Sequence, residues 1–495
     1  MKGKIDMETT VYIKQLKENK YSNKTPYNPP INFPEYLFGI KELDKNNMVY
    51  RKIRELLFEM NLDKDNYNTV KWNPFKELIK TGDMVVLKPN MVMHRNQLKQ
   101  YLTDCLITHG SIIRVIVDYV YIALKGKGRI IIGDAPLQGC DFSQVIIKNG
   151  TKAIVDFYKK KGIIIELIDF RNERAIIDLS GKMIKVEKLT GDPRGYTVVD
   201  LGKDSFLYDI IADYKKFRVT NYDPNIMKLH HNFEKNEYLI PNSILQAGVI
   251  INLPKPKTHR KAGITGAMKN LVGINGSKDW LPHHRRGSYF NGGDEYLYNN
   301  IFKEFSTILQ EKIDIATIKN KKIKCYLIRY IKKISVVFRI LLSRGKYLEG
   351  GWWGNDTIWR TICDLNILLI YADKEGNIQQ EPQRKFISFL DMIISGEKEG
   401  PLEPTPKNIG ILMAGFNPLI IDTVLASVMG FDFKKIPHIY QAYNSKKYPI
   451  SKYKPEAIKI ISNNRSWSEK VTDIKWKDSL KYMPTLGWKN HIEMK

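Results

Sequence analysis

Short apolar runs broken by polar exits recur along the chain, and their spacing predicts alternating strands and helices. Residues 84–87, 129–133 and 163–168 read as strands. Between them, Val115, Val117, Val120 and Ile122 mark a helix over 113–124, with Ser111 as its cap and His109 beside it, and 143–160 marks a second. Met48, Ile53, Leu57 and Met60 predict an earlier helix over 46–60. Such alternation implies an α/β fold whose largely parallel sheet is flanked by helices. Residues 171–247 read as a β-rich insertion. Ile177, Met183 and Val186 predict a hairpin there, 217–220 a further strand, and the adjacent His230 and His231 fall on a strand, facing opposite ways. Further on, 363–371 reads as a strand, 386–394 as a helix, 395–404 as an acidic Gly/Pro loop and 409–415 as a strand. Asn417 then opens a helix with Asp422 complementing its dipole.

These elements suggest a polar, loosely held leader (1–35), an α/β ligand-binding part (36–300), a basic helical insertion (301–350) and a C-terminal α/β part (351–445). A tail follows (446–495), carrying Trp467, Trp476 and Trp488 and wrapped over the body. In 321–345, Ile323, Leu327, Ile331, Ile334, Phe338 and Leu341 share one helical face, and Lys324, Arg329, Lys332, Lys333 and Arg339 the other. That pattern suits a helix packed on the body with a basic outer face. It also suits one lying on an anionic membrane surface.

The 495 residues carry a formal net charge of +26, which raises the question of nucleic acid. The chain is rich in Lys, Ile and Asn throughout, so the charge is spread widely. No zinc-finger, RNP-type or helix-turn-helix pattern accompanies it, so nucleic acid is not expected as a partner. The four cysteines, Cys105, Cys140, Cys325 and Cys363, are far apart and form no C-x-x-C pair, so no iron–sulfur cluster is expected. Few cysteines, no signal-peptide pattern and no bilayer-length apolar run predict a cytoplasmic protein. Placement against the inner face of the membrane is the variant in which 321–345 binds lipid.

The candidate chemistry concentrates in 252–288. Residues 249–251 read as a buried strand ending at Asn252, after which Pro254 and Pro256 force an extended path. Lys255, Lys257 and His259 alternate along it and are expected to point the same way. Thr265 is the expected cap of a short helix from Gly266 to Val272, with Lys269 and Asn270 riding on it. Glycines, lysines and an open helix N-terminus are an anion-binding chemistry. Other strand exits add Lys88 and Asn90, and Asp134 as a carboxylate for proton transfer or metal binding. Arg285 adds a further cation. His259, His283, His284 and Asp294 are candidate ligands of a divalent metal, although their spacing matches no specific metal motif. In the duller alternative, His283 and His284 bind the same anion as Arg285 and Arg286.

Several blocks resemble the bacterial and archaeal family called domain of unknown function 362. They are Leu-Lys-Pro-Asn at 87–90, Ile-Asn-Leu-Pro-Lys-Pro-Lys-Thr-His at 251–259 and Gly-Ile-Thr-Gly-Ala-Met-Lys-Asn-Leu-Val-Gly at 263–273. Residues 390–401 and 414–424 complete the likeness, which covers roughly 80–440. Many members of that family carry a ferredoxin-like module with two four-iron clusters, and this chain lacks the cysteines for one. Leu-Pro-His-His at 281–284 and the basic helix resemble members found among surface-polysaccharide biosynthesis proteins. The resemblance fixes a fold class more than a reaction. The leading expectation is an enzyme acting on a phosphorylated or carboxylated small molecule, such as a nucleotide-sugar or lipid-linked sugar. In it Lys255, Lys257 and Lys269 neutralise the anion, and His259 and Asp134 handle protons or a divalent metal. The alternative is a non-catalytic peripheral-membrane or glycan-assembly accessory protein.

Overall fold

The computed structural model describes residues 7–39, 43–177, 183–220, 222–319, 321, 328, 331, 349–445, 447–467 and 469–495. The basic segment 321–345 therefore lies, almost entirely, outside the described residues. Among the described residues, no helix is long and apolar enough to cross a membrane.

The chain is built on one sheet of 11 strands. It opens with β1 (Thr10–Gln15), β2 (Met84–Pro89), β3 (Arg129–Asp134) and β4 (Ile165–Asp169). An insertion then supplies β5 (Glu173–Ile177), β6 (Met183–Lys188), β7 (Tyr196–Asp200), β8 (Phe217–Arg218) and β9 (Glu237–Pro241). The central stretch contributes β10 (Val249–Leu253), β11 (Lys257–His259), β12 (Gly263–Thr265) and β13 (His284–Arg285). The last part gives β14 (Lys385–Glu399), β15 (Glu403–Gly415), β16 (Lys459–Ser462) and β17 (Glu469–Lys470).

The main sheet runs β17-β16-β1-β15-β14-β10-β2-β3-β4, with β11 and β12 added beside β14. The run β14-β10-β2-β3-β4 is parallel, whereas β15 pairs antiparallel with both β14 and β1. From β2 the chain steps outward through β3 and β4, then returns to place β10 on the other side of β2. Strand order thus reverses between β2 and β10, and a crevice opens at the carboxyl ends of such strands.

Alternate side chains feed two cores. Val85, Leu87, Ile130, Ile132 and Ile251 join one with the helices Met48–Glu59, Gly110–Leu124 and Thr151–Lys159. Val86, Ile131 and Ile250 join the other with the helices Ile358–Tyr371 and Pro418–Met429.

The β-rich insertion forms as expected, with β5 pairing β6 and β7 pairing β9. Several expectations are corrected. The described residues of the 1–35 segment are no loose leader, because β1 lies inside the sheet and Tyr12 and Ile13 are fully buried. The tail likewise contributes β16, parallel to β1. Residues 363–371 are helical and 386–394 are strand. Both segments are buried on nearly every side, so neither shows a clean period. The acidic loop at 395–404 is mostly strand, because β14 and β15 continue through it as a long hairpin. His230 ends the helix Pro224–His230 rather than sitting on a strand. The helix expected over 143–160 breaks at Gly150, whose φ of 81° is left-handed.

Candidate anion-binding site

The strand exits are stitched together by three buried asparagines. Asn90 Nδ2 donates to Asn270 Oδ1 (2.9 Å), and Asn270 Nδ2 donates to Asn252 Oδ1 (2.7 Å) and to the Lys88 carbonyl (3.1 Å). Asn252 Nδ2 in turn donates to the Ala267 carbonyl (3.0 Å). These amides hold the central stretch against β2 and β10 by bonding to one another and to backbone carbonyls.

Two cations predicted for the ligand are committed elsewhere. Lys88 Nζ lies 2.8 Å from Asp134 Oδ1, and Asp134 Oδ2 accepts from the Met91 N–H (2.7 Å). Lys255 Nζ pairs with Asp391 Oδ2 at 3.0 Å and donates to the Tyr21 hydroxyl (2.5 Å), which donates to Asp391 Oδ1 (2.6 Å). His109 stacks on Tyr21 with ring centroids 3.9 Å apart. It caps its own helix through Nδ1, which accepts from the Ser111 N–H (3.2 Å). The expectation that Asp134 moves protons therefore meets a carboxylate already balanced by an ammonium.

The remaining lysines have no such balance. Lys257, Lys261, Lys269 and Lys278 have no carboxylate within ion-pair distance among the described residues. Lys257 Nζ donates to the Lys255 carbonyl (2.8 Å), Lys278 Nζ donates to the Val272 carbonyl (3.1 Å), and Lys261 Nζ approaches His284 Nδ1 at 3.5 Å. Lys269 Nζ has no hydrogen-bond partner among the described residues. Burial pushes the Lys257 ammonium down to about 7, helped by the charges of Lys255 and Lys269. Lys278 falls to about 7 and Lys269 to about 8, in each case mainly through burial and further through neighbouring cations. Lys261 is lowered as well, by burial opposed by Glu349, Glu295 and Asp294. Lys261, Lys269 and His283 are only half-buried, so the cluster is reached from solvent, with Lys257 and His259 beneath them.

Two histidines in the cluster hold opposite tautomers. His259 Nδ1 accepts from the N–H groups of Lys261 (3.1 Å) and Ala262 (3.2 Å), so its proton sits on Nε2. His283 Nδ1 lies 2.7 Å from the Leu281 carbonyl, which only accepts, so Nδ1 carries the proton and Nε2 a lone pair. Burial and then the surrounding lysines hold both well below the usual imidazole range, hence neutral. The site therefore offers cations, one N–H donor and one nitrogen lone pair.

The helix N-terminus expected to bind the anion is already filled. The helical turn is Ala267–Asn270, followed by a 3-10 turn over Leu271–Ile274. Asp422, from the helix Pro418–Met429, accepts from the N–H groups of Ala267 (2.5 Å) and Met268 (2.9 Å). Thr265 is not the cap but pairs with Lys257 across β11 and β12. Gly266 has to be glycine, because a Cβ there would stand 2.1 Å from Asp422 Oδ1. Arg285 also lies outside the lysine cluster, with Asp356 at 3.2 Å and Asp294 at 3.8 Å. Asp294 accepts from the Arg285 and Asp356 N–H groups and from the Thr357 hydroxyl, which is a structural role. Among the described residues no three His, Cys, Asp or Glu side chains come together as a metal site, so His259, His283, His284 and Asp294 do not form one.

Sequence reasoning missed Tyr21, Lys261, Lys278, Asp391 and His438 as members of this region. His438 is fully buried, and neither ring nitrogen has a partner among the described residues. Burial, and then the charge of Lys269, lowers it to about 3. Only Lys261 and Lys278, inside the lysine-rich central stretch, had a local signal.

The chain belongs to the DUF362 family, a domain of unknown function whose family model matches residues 85–199 and 200–427. No curated protein matches the chain. A crystal structure of a protein from Thermotoga maritima matches at 11% identity, over 73% of this chain and 54% of that one, with a TM-score of 0.30. The chain thus spans about half the length of that protein.

Proposed function

We propose that the chain is an enzyme that binds a phosphorylated or carboxylated small molecule at the β2/β10 crevice. One observation carries this reading: the half-buried ammonium of Lys269, beside Lys257 and Lys261, lacks any protein counter-charge among the described residues. Cations gathered in a partly desolvated cleft repel one another, and a bound anion relieves that repulsion. His259 Nε2–H would then polarise an oxygen of the ligand, and His283 Nε2 would accept a proton. A role in surface-polysaccharide biosynthesis in the cytoplasm is the finer part of the proposal, resting on Leu-Pro-His-His at 281–284.

The test is isothermal titration with pyrophosphate, sugar phosphates, nucleoside diphosphates and dicarboxylates, on the wild type and Lys269→Ala. The reading expects one class to bind, with affinity at least about tenfold weaker in the variant and falling with salt. Equal binding by both proteins, or none by either, sinks it. Phosphorus NMR of the bound ligand over time then separates turnover from binding, with His283→Gln expected to bind and not turn over.

A further inference from the structure

We propose that a second cavity, at the N-terminal end of the helix Ile358–Tyr371, binds a pyranose sugar. It has a volume of about 290 Å³ and is lined by Trp353, Trp359, Asp209, Asp356, Arg360 and Gln441 among others. It shares no lining residue with the lysine cleft, and the two proposals can fail separately.

The volume sits at the lower end for small-molecule sites, on the order of 300 Å³, which suits one ring rather than an oligosaccharide. A pyranose presents patches of C–H on its faces and hydroxyls around its edge. Indole faces carry the negative side of the ring quadrupole and receive C–H groups, while burying much area with few torsions to fix. Hydroxyls, each both donor and acceptor, are matched by planar carboxylate, amide and guanidinium groups. This lining has both kinds of group, with Trp353 as the exposed indole, whereas Trp359 is 6% exposed with Arg360 over its ring and steadies the wall.

The planar groups are held in place before any ligand arrives. Arg360 Nη1 donates to Asp209 Oδ2 at 2.9 Å, and its guanidinium lies 4.3 Å from the centre of the Trp359 ring. Trp359 Nε1 donates to Asp356 Oδ1 at 2.9 Å, and Arg285 Nη2 reaches Asp356 Oδ2 at 3.2 Å. Asp209 remains largely exposed, so its second carboxylate oxygen is open to a ligand. Gln441 accepts from Asn444 through Oε1, and its Nε2 has no partner among the described residues. Trp353 is 43% exposed, with His491 stacked 4.5 Å away.

Charge separates this cavity from the lysine cleft. At its wall Asp209 pairs with Arg360 and Asp356 with both Arg360 and Arg285, so the charges there cancel, unlike the unpaired lysines of the cleft. A balanced wall of this kind carries no surplus positive charge to draw phosphate and suits a neutral polyol. The rim is nonetheless tied to the segment leaving the lysine cleft, since Asn355 Nδ2 donates to the His283 carbonyl at 3.0 Å.

The test is saturation-transfer NMR with methyl glycosides of glucose, galactose and N-acetylglucosamine, on the full chain. The proposal expects transfer to the ring C–H protons of at least one glycoside. It expects loss of that signal in Trp353→Ala and a several-fold weaker signal in Gln441→Ala. Gln441→Ala should melt at the wild-type temperature and Trp353→Ala, which loses the His491 stacking, a little lower, and both should keep their pyrophosphate affinity. No transfer from any glycoside, or transfer undiminished in Trp353→Ala, overturns it.

Discussion

Asp422 and Ala267 are joined by a 2.5 Å hydrogen bond from the Ala267 N–H to the carboxylate, across 155 positions of sequence. Through it the helix Pro418–Met429 holds the turn that carries Lys269. Asp422→Ala leaves two buried N–H groups unpaired and should cost about 1–3 kcal/mol, read from the urea midpoint. Asp422→Asn keeps one acceptor oxygen and should recover part of the loss. Alanine as stable as wild type would mean that the turn finds its cap elsewhere.

Lys255 and Asp391 are both fully buried and face each other at 3.0 Å. Removing one partner strands the other's charge, so Asp391→Ala should destabilise the fold by about 3–5 kcal/mol. Tyr21→Phe leaves the ion pair and removes one hydrogen bond at each end, for about 1–2 kcal/mol. Chemical denaturation of both variants checks the ranking. A larger loss for Tyr21→Phe would place the stabilisation in the phenol rather than the pair.

Lys269 should oppose stability while serving binding. Its pKa falls from 10.5 to about 8 on folding, so between these values the unfolded chain holds the proton more tightly. The penalty is therefore full below about 8 and disappears as pH rises toward 10.5. Lys269→Met should be more stable than wild type at pH 7, on the order of 1 kcal/mol, in buffer free of multivalent anions. The gain should shrink to nothing at high pH in paired thermal melts. A variant less stable at pH 7 would show that Lys269 has a counter-charge.

The same shifts give binding a pH dependence of definite sign. The free-protein values near 7 for Lys257 and near 8 for Lys269 mean that both ammoniums discharge as pH rises through that range. Affinity for pyrophosphate should then fall between pH 7 and 9, with a slope of up to about one log unit per pH unit for each lysine involved. Calorimetric titration at several pH values reads it, and a flat profile would remove the lysines from the site.

Gly273 lies against the Lys88–Asp134 pair. A Cβ there would stand 2.0 Å from Asp134 Oδ1 and 2.7 Å from Lys88 Nζ, both buried. Gly273→Ala should cost about 1–3 kcal/mol through overpacking. It should also weaken anion binding, because the displaced turn carries Lys269. Wild-type values for both would mean that the turn yields freely.

The strands β2, β3 and β4 and their helices were legible in the sequence because each is a short apolar run with a polar exit at its end. The central stretch stood out because Pro, Gly and Lys alternate there after a strand. The helix Ile358–Tyr371 and β14 were read the wrong way round. Both are buried on nearly all sides, which erases the period that separates a helix from a strand.

The sequence by itself determined the α/β class, the family and the stretch where the positive charge gathers. Tertiary structure decided which charges are free. Lys88 and Lys255 look like Lys257 and Lys269 along the chain, and only contacts with Asp134, Asp391 and Tyr21 neutralise the first two. Those partners arrive from 46, 136 and 234 positions away, from other strands and from the N-terminal segment. Pairing depends on distances of a few ångströms set by the whole sheet, and no local pattern encodes them.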